Sequence, residues 1–282
     1  SGEAFAAESE QNVSVNETMT AQGSPNGFFS YLTGSGEYFA LHPITDPILV
    51  GSGIALFAVD LNLHRFKNDR TFDGVLYDRD DVSAFDRWAM RPYSRALDIT
   101  GDVFIGCAMA TPLVFASVDR HEWITIGIMY AETMLLTHAV KDFIKSLTFR
   151  ARPYMYFEGY PQKYVDSGDW NNSFPSGHTM QAFAAAAFTS FVFAVYFPRS
   201  LWNIPVSAGS YALAATVAVL RLSSGNHFLT DVLAGAAFGT VFGIGIPLLH
   251  MLGRQSHKAV EKRKEAVSLS VFPTGVCISA RF

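Results

Sequence analysis

Six runs of apolar residues divide the chain, each closed by a short polar or charged segment. The first, Pro47 to Val59, is short. The stretch that follows, Asp60 to Asp102, is charged and broken, and Trp88, Pro92 and Tyr93 predict a half-buried helix within a loop region. Val103 to Val118 and Trp123 to Val140 read as the second and third helices, and the tight polar link Asp119-Arg120-His121-Glu122 predicts that they are antiparallel neighbours. The fourth run is Thr179 to Phe197, the fifth Leu201 to Leu220 and the sixth Val232 to Leu252. Gly235, Gly239, Gly243 and Gly245 give the sixth run the small-residue spacing that lets helices approach closely. The tail is basic at Arg254, Lys258, Lys262, Arg263 and Lys264. It then alternates through Val267 to Phe272, turns at Pro273-Thr274-Gly275 and alternates again to Phe282, which predicts a β-hairpin. The expected architecture is all-α, a six-helix bundle with a short C-terminal β-hairpin. Its expected divisions are a polar, disordered segment over 1–43, a helical domain over 44–252 and a basic tail over 253–282.

The fourth to sixth runs approach the roughly 20 residues that a membrane span requires, so the bundle is expected to be membrane-embedded. Glu132 and His138 inside the third run argue the other way, as does the shortness of the first. With both termini and the second-third and fourth-fifth links on the cytoplasmic side, most of the 21 Lys and Arg fall on the opposite side, against the positive-inside tendency. A soluble exported bundle stays open on this reading. Residues 1–27 contain no Lys or Arg and show no periodicity, as disordered segments do. Within them, Ala4-Phe5-Ala6-Ala7-Glu8-Ser9 resembles the small-residue end of a secretory leader, which predicts export.

A chain of 282 residues that is 49% hydrophobic with 24 Phe can bury a large core, although its mean hydropathy is only +0.18. The net charge of -4 carries no nucleic-acid signature. Cys107 and Cys277 match neither a disulfide framework nor a zinc pattern and are expected to be packing residues.

Chemistry gathers at three helix ends. After Arg221 and a glycine-bearing turn, His227 and Asp231 stand four residues apart, which places imidazole and carboxylate on one face of a starting helix. A carboxylate that fixes one ring nitrogen leaves the other free to attack. The plain alternative is a helix start that His227 caps and where Asp231 accepts backbone N–H groups. Lys145 and Arg152, two turns apart and facing the same way, form a cationic clamp at the end of the third run. Pro153 turns Arg152 out of helical geometry, so its fork can meet phosphate oxygens; the alternative is a basic helix end neutralising its own dipole. At the start of the fourth run Ser176 and Gly177 offer a hydroxyl and backbone N–H groups to an anion, with His178 beside them as a general acid. An ordinary Ser-Gly helix start is the alternative there. An antiparallel bundle brings all three ends to one side.

Lys145 with Arg152-Pro153, then Pro175-Ser176-Gly177-His178, then Arg221 with His227 and Asp231, resembles the three-part signature of the type 2 phosphatidic acid phosphatase (PAP2) and vanadium haloperoxidase superfamily. The resemblance covers roughly residues 100 to 250, and the combination is specific. In one departure, Leu220 stands where the family usually has Ser before the third-motif arginine. The resemblance implies a phosphatase whose Lys145, Arg152 and Arg221 hold the phosphoryl oxygens, assisted by Ser176 and Gly177. It implies that His227 attacks phosphorus to give a phosphohistidine, that Asp231 orients it, and that His178 protonates the leaving oxygen and then activates water. No cofactor is implied, and no His-carboxylate cluster at metal-ligand spacing is visible in the sequence. The expected function is metal-independent hydrolysis of a lipid phosphate or diphosphate in the cell envelope, with the site facing the periplasm or exterior. The expected partners are a phosphorylated lipid and a membrane, with no nucleic acid; nothing in the sequence fixes an oligomeric state. A vanadium-dependent haloperoxidase and a soluble exported acid phosphatase of broad specificity are the alternatives.

Overall fold

The computed structural model describes residues 36–67, 72–272 and 275–280. The polar segment over 1–43 and its leader-like run therefore lie largely outside the described residues. Among those residues six long helices form the bundle: α1 (Thr45–Lys67), α2 (Arg95–Met109), α3 (Trp123–Thr148), α4 (Gly177–Tyr196), α5 (Asn203–Ser223) and α6 (Leu229–Ala266).

The bundle is built around α4. Its Ala182, Ala184, Ala185, Ala186 and Ala187 are almost fully buried, and side chains this small leave room for neighbouring backbones to approach. On α6, Gly235, Gly239 and Gly243 face the α4 backbone between Ser176 and Phe188, and a Cβ at any of them would collide with it. Gly245 falls off this stripe and faces open space. Helix α3 packs against α4 and α6, α5 lies between α4 and α2, and α1 lies along α3.

Several boundaries differ from those the apolar pattern predicts. Helix α1 is no short element but 23 residues long, because Asp60 is buried within it and accepts a hydrogen bond from Ser146 of α3. Helix α2 begins at Arg95, and the second half of the predicted second helix, Thr111–Ser117, is a 3-10 segment. No break separates domain from tail at residue 252, since α6 continues unbroken to Ala266 through Pro247. Beyond it, Val267–Phe272 and Gly275–Ala280 pair antiparallel with Phe272 opposite Gly275, as the alternation predicts. Cys107 is exposed on α2 rather than packed inside.

Among the described residues, five helical segments are long and apolar enough to cross a membrane: Thr45–Leu63, Arg95–Ser117, Gly177–Tyr196, Asn203–Ser223 and Leu229–Ser256. Their outward faces are apolar as well. Leu113 is 74% exposed and Ile204 79%, a distribution that suits hydrocarbon rather than water as the surrounding solvent. Helix α3, which carries Glu132, Lys141, Asp142 and Lys145, packs against α1, α4 and α6, and Glu132 is buried among them. Ionisable residues in a membrane protein are tolerated when they face the bundle interior in this way.

Candidate active site

Three local structures bring the signature residues to one end of the bundle. Helix α3 ends at Thr148 because Phe149 adopts a left-handed conformation (φ 44), and Pro153 then holds Arg152 extended. Lys145 and Arg152 therefore do not share a helix face as their spacing suggests; they converge from a helix end and a loop. That loop is fastened to the segment before α4 by Arg152 N–H to Trp170 O (2.8 Å) and Ser173 N–H to Arg150 O (3.0 Å). Between α5 and α6 the chain reverses at Gly225, whose φ of +75 and close approach to the Arg91 and Pro92 carbonyls exclude a side chain.

A cavity of about 370 Å³ results, lined by Lys145, Arg152, Gly177, His178, Arg221 and His227 from the three motifs. Asp98, Asp102, His138, Lys141, Asp169 and Asn226 complete its polar wall together with Tyr164 and Gln181. The absence of a side chain at Gly177 leaves room for Lys141, whose aliphatic stem a Cβ there would displace. Ser176 and Asp231 are fully buried behind this wall, and the Ser176 hydroxyl pairs with Thr179 Oγ1 at 2.9 Å. A larger hollow of about 630 Å³, beside Met109, Leu113, Trp123 and Tyr130, is apolar and holds none of the motif residues.

His227 is buried, and its Nδ1 lies 2.7 Å from the Ser173 carbonyl. A carbonyl can only accept, so Nδ1 carries the proton and Nε2 presents its lone pair, with Arg152 Nη1 3.3 Å away. Asp231 Oδ2 is 3.7 Å from Nδ1, beyond hydrogen-bonding reach, because α6 starts only at Leu229 and His227 precedes it. The direct His227–Asp231 hydrogen bond expected from the four-residue spacing is therefore replaced by a carbonyl contact. Asp231 instead accepts from Ser173 Oγ (2.5 Å), from the Phe228 backbone N–H (2.8 Å) and from Arg150 (2.5 Å). It caps the helix backwards, as a carboxylate at the third helical position does, and it grips the residue whose carbonyl holds the imidazole.

Arg150 and Asp86 extend this brace. The Arg150 guanidinium joins Asp231 to Asp86 (2.7 Å) and lies over the Phe228 ring at 4.1 Å, while Asp86 caps α6 through the Thr230 N–H (2.9 Å). Arg152 Nη2 donates to both carboxylate oxygens of Asp169 at 2.9 and 2.8 Å, and its Nε donates to the Asp169 carbonyl at 2.9 Å, so in this state its anionic partner is a carboxylate of the chain. Arg221 pairs with Asp98 (2.9 Å), which is also held by Asn226 and by the hydroxyls of Tyr93 and Tyr164. His178 Nε2 meets Asp102 at 3.0 Å.

Burial pushes the His227 imidazole down to about 3, with Arg152 and Lys145 adding to the shift and Asp231 opposing it. Burial works against the Arg152 charge, but Asp169 outweighs it and the net shift is upward. Burial would raise the Asp169 carboxyl, yet Arg152 and then Lys145 hold it below the usual carboxylate range. The His227 imidazole is thus held neutral beside the charged Arg152 guanidinium.

Asp86, Asp98, Asp102 and Asp169 carry no spacing signal toward the motifs, and sequence reasoning missed them. Arg150, Ser173 and Asn226 lie inside or beside the motifs and were within reach of it. Among the described residues, side chains grouped so as to hold a metal ion lie elsewhere, at Asp46, Glu132 and His250. They come from three different helices, so sequence spacing could not reveal them.

A membrane-embedded helical bundle with a polar cavity at one end, lined by His178 and His227 together with Lys145, Arg152 and Arg221, suits a phosphate group. Residues 126–254 match the family model described as PAP2 superfamily. The chain is 39% identical over 72 residues to the lipid A 1-phosphatase of Porphyromonas gingivalis, a match spanning 26% of this chain and 15% of the length of that relative. Among solved structures it is similar to a transmembrane PAP2-type phosphatidylglycerolphosphate phosphatase from Bacillus subtilis, with 18% identity, a TM-score of 0.43 and coverage of 73% of this chain and 96% of that one. The LpxE of Aquifex aeolicus gives 22% identity, a TM-score of 0.40 and coverage of 60% and 98%. The protein is an integral membrane protein.

Proposed function

We propose that the protein is a metal-independent phosphatase acting on a lipid phosphate or diphosphate. The observation that carries this reading is the convergence of His227, His178, Lys145, Arg152 and Arg221 on one cavity. His227 Nε2 attacks phosphorus in line, the bond to the leaving oxygen breaks, and His178 gives that oxygen its proton. His178 then takes a proton from water, the water oxygen attacks phosphorus, and the phosphorus–nitrogen bond breaks to release inorganic phosphate. Lys145, Arg152 and Arg221 neutralise the charge gathering on the phosphoryl oxygens. The Gly177 backbone at the α4 N-terminus adds to this, and Ser176, behind it, holds the turn through Thr179. Asp231 acts on His227 through Ser173. A lipid substrate is supported by the position of the cavity at the ends of membrane-spanning segments, where a headgroup can enter while its chains stay in hydrocarbon.

The test is a panel of phosphorylated lipids and water-soluble esters assayed in EDTA, with and without vanadate. Hydrolysis that favours the lipids, survives EDTA and is blocked by vanadate supports the reading. Loss of activity on chelation under conditions in which the protein stays folded, restored by a divalent metal in Asp46→Asn as well as in the wild type, overturns it, and halide oxidation by the vanadate-loaded protein with peroxide would identify a haloperoxidase instead.

We place the cavity on the periplasmic or exterior side: the basic residues from Arg254 onward lie at the bundle's other end, where a cytoplasmic location suits them, although most of the chain's Lys and Arg lie on the cavity's side. A membrane-impermeant thiol reagent should label Glu158→Cys in intact cells, in a chain lacking Cys107 and Cys277. Protection until the cells are opened would reverse the orientation.

A further inference from the structure

At the end of the bundle away from the phosphate cavity, α1, α3 and α6 bring together Asp46, Glu132 and His250. Glu132 stands 13 residues before Lys145 on α3, about 20 Å along the axis, and His250 is 19 residues past Asp231, about 28 Å along α6. The cluster is thus separate from the proposed reaction site. Glu132 and His250 are buried, and Asp46 lies in the first turn of α1. The ligand atoms of the three residues all lie within 4.8 Å of one another.

Two features make this more than a buried ion pair. His250 Nδ1 is 2.9 Å from the Ala40 carbonyl, so it carries a proton, and Nε2 is directed at Glu132 Oε2 at 2.8 Å. A nitrogen lone pair and a carboxylate oxygen at that distance need a positive centre between them. A proton on Nε2 would serve Oε2 alone, whereas Glu132 Oε1 and Asp46 Oδ1 are both buried without a hydrogen-bond partner. His250 is the ion partner of both carboxylates, Glu132 Oε2 at 2.8 Å from Nε2 and Asp46 Oδ1 at 3.8 Å from Nδ1, and one imidazolium can neutralise only one of them; the other Asp46 oxygen accepts from the His42 N–H at 3.0 Å. An uncompensated buried carboxylate is costly.

We propose that Asp46, Glu132 and His250 bind a divalent transition-metal cation of the zinc type, through one imidazole nitrogen and two carboxylates. The donor set of one nitrogen and two oxygens suits such an ion, and its two charges balance both carboxylates. Binding displaces the proton from His250 Nε2. An adjoining cavity of about 240 Å³, lined by His42, Thr45, His250 and Ser256 among others, gives the ion a way in and room for a water ligand. Because Asp46 opens α1 and His250 also holds Ala40, the ion ties α1 and the segment before it to α3 and α6.

The test uses the full chain in detergent, stripped with chelator, loaded with zinc chloride, desalted and analysed for metal content and thermal midpoint. Wild type and His227→Ala should both retain stoichiometric zinc and melt higher than the stripped protein. His250→Gln and Glu132→Gln should lose it. Asp46→Asn, a milder change in the first turn of a helix, should fold even if those do not and should weaken zinc affinity by more than about 100-fold, above the range for residues that only support a ligand. Zinc lost from the wild type on desalting, or retained equally by all three variants, would overturn the proposal and leave the cluster as a proton-bridged pair.

Discussion

His227 gives its Nδ1 proton to the backbone carbonyl of Ser173, 2.7 Å away, while the carboxylate of Asp231 stands 3.7 Å off. The tautomer is therefore set by the main chain, and the carboxylate acts one step back by gripping the Ser173 hydroxyl. In the Ser-His-Asp arrangement, where the carboxylate bonds the imidazole directly, its amide replacement costs about 10⁴-fold through the wrong tautomer. Asp231→Asn should cost only about 10- to 100-fold in kcat, the range for a supporting residue, with KM little changed. Steady-state kinetics on a phosphate ester decide it. A loss of four decades would return tautomer control to Asp231.

Arg150 is the link between Asp231 and Asp86, and each of those carboxylates is almost wholly buried. Its removal leaves two buried charges short of a partner. Arg150→Ala should therefore destabilise the protein by about 3 kcal/mol, the lower end for breaking a buried pair because Arg150 itself is partly exposed. Arg150→Lys should recover little of this, since an ammonium cannot bridge two carboxylates as a planar fork does. Denaturation in detergent measures both, and full recovery by lysine would show that charge alone matters.

The three motifs were legible because their chemistry is local: each lies at a helix end whose proline, glycine or serine marks the boundary. The acidic half of the site was not legible. Asp98 meets Arg221 across 123 residues and Asp86 meets Thr230 across 144, and neither distance leaves a trace in local pattern. Helix lengths failed for a related reason. Asp60 looks like a helix breaker in an apolar run until Ser146 supplies its partner, and such a partner is visible only after the helices have packed.

The depressed His227 ionisation fixes the sign of a pH effect. Only the neutral imidazole can attack, and an ordinary histidine would lose that form as pH falls through about 6.5. Held down to about 3 by burial first, and then by Arg152 and Lys145, His227 stays neutral well below that point. In His178→Ala with an aryl phosphate, kcat/KM should show no acid limb from about pH 6 down to about pH 4 once the substrate's own ionisation at about 6 is taken into account, and it should fall above about pH 7 as Lys145, whose ammonium burial pulls down to about 7, loses its charge. The profile of kcat/KM against pH checks this. A residual acid limb centred near about 6.5 would mean that His227 titrates as an exposed histidine does.

Both histidines line the cavity, so loss of activity alone cannot separate nucleophile from acid. The leaving group can. Removing His227 removes the atom that bonds phosphorus, and His227→Ala should form no covalent phosphoenzyme with any substrate. Removing His178 removes a proton donor whose help is worth roughly 10²- to 10⁴-fold when the leaving alkoxide is poor, and far less when it is a stabilised phenolate. His178→Ala should therefore lose much more activity on an alkyl phosphate than on p-nitrophenyl phosphate. With the aryl ester it should also accumulate phosphohistidine, because the base that activates water in the second step is gone while the first step still runs. Rapid acid-free quenching with radiolabelled substrate reads both outcomes. A phosphoenzyme in His227→Ala, or equal losses on the two esters in His178→Ala, would exchange or dissolve the two roles.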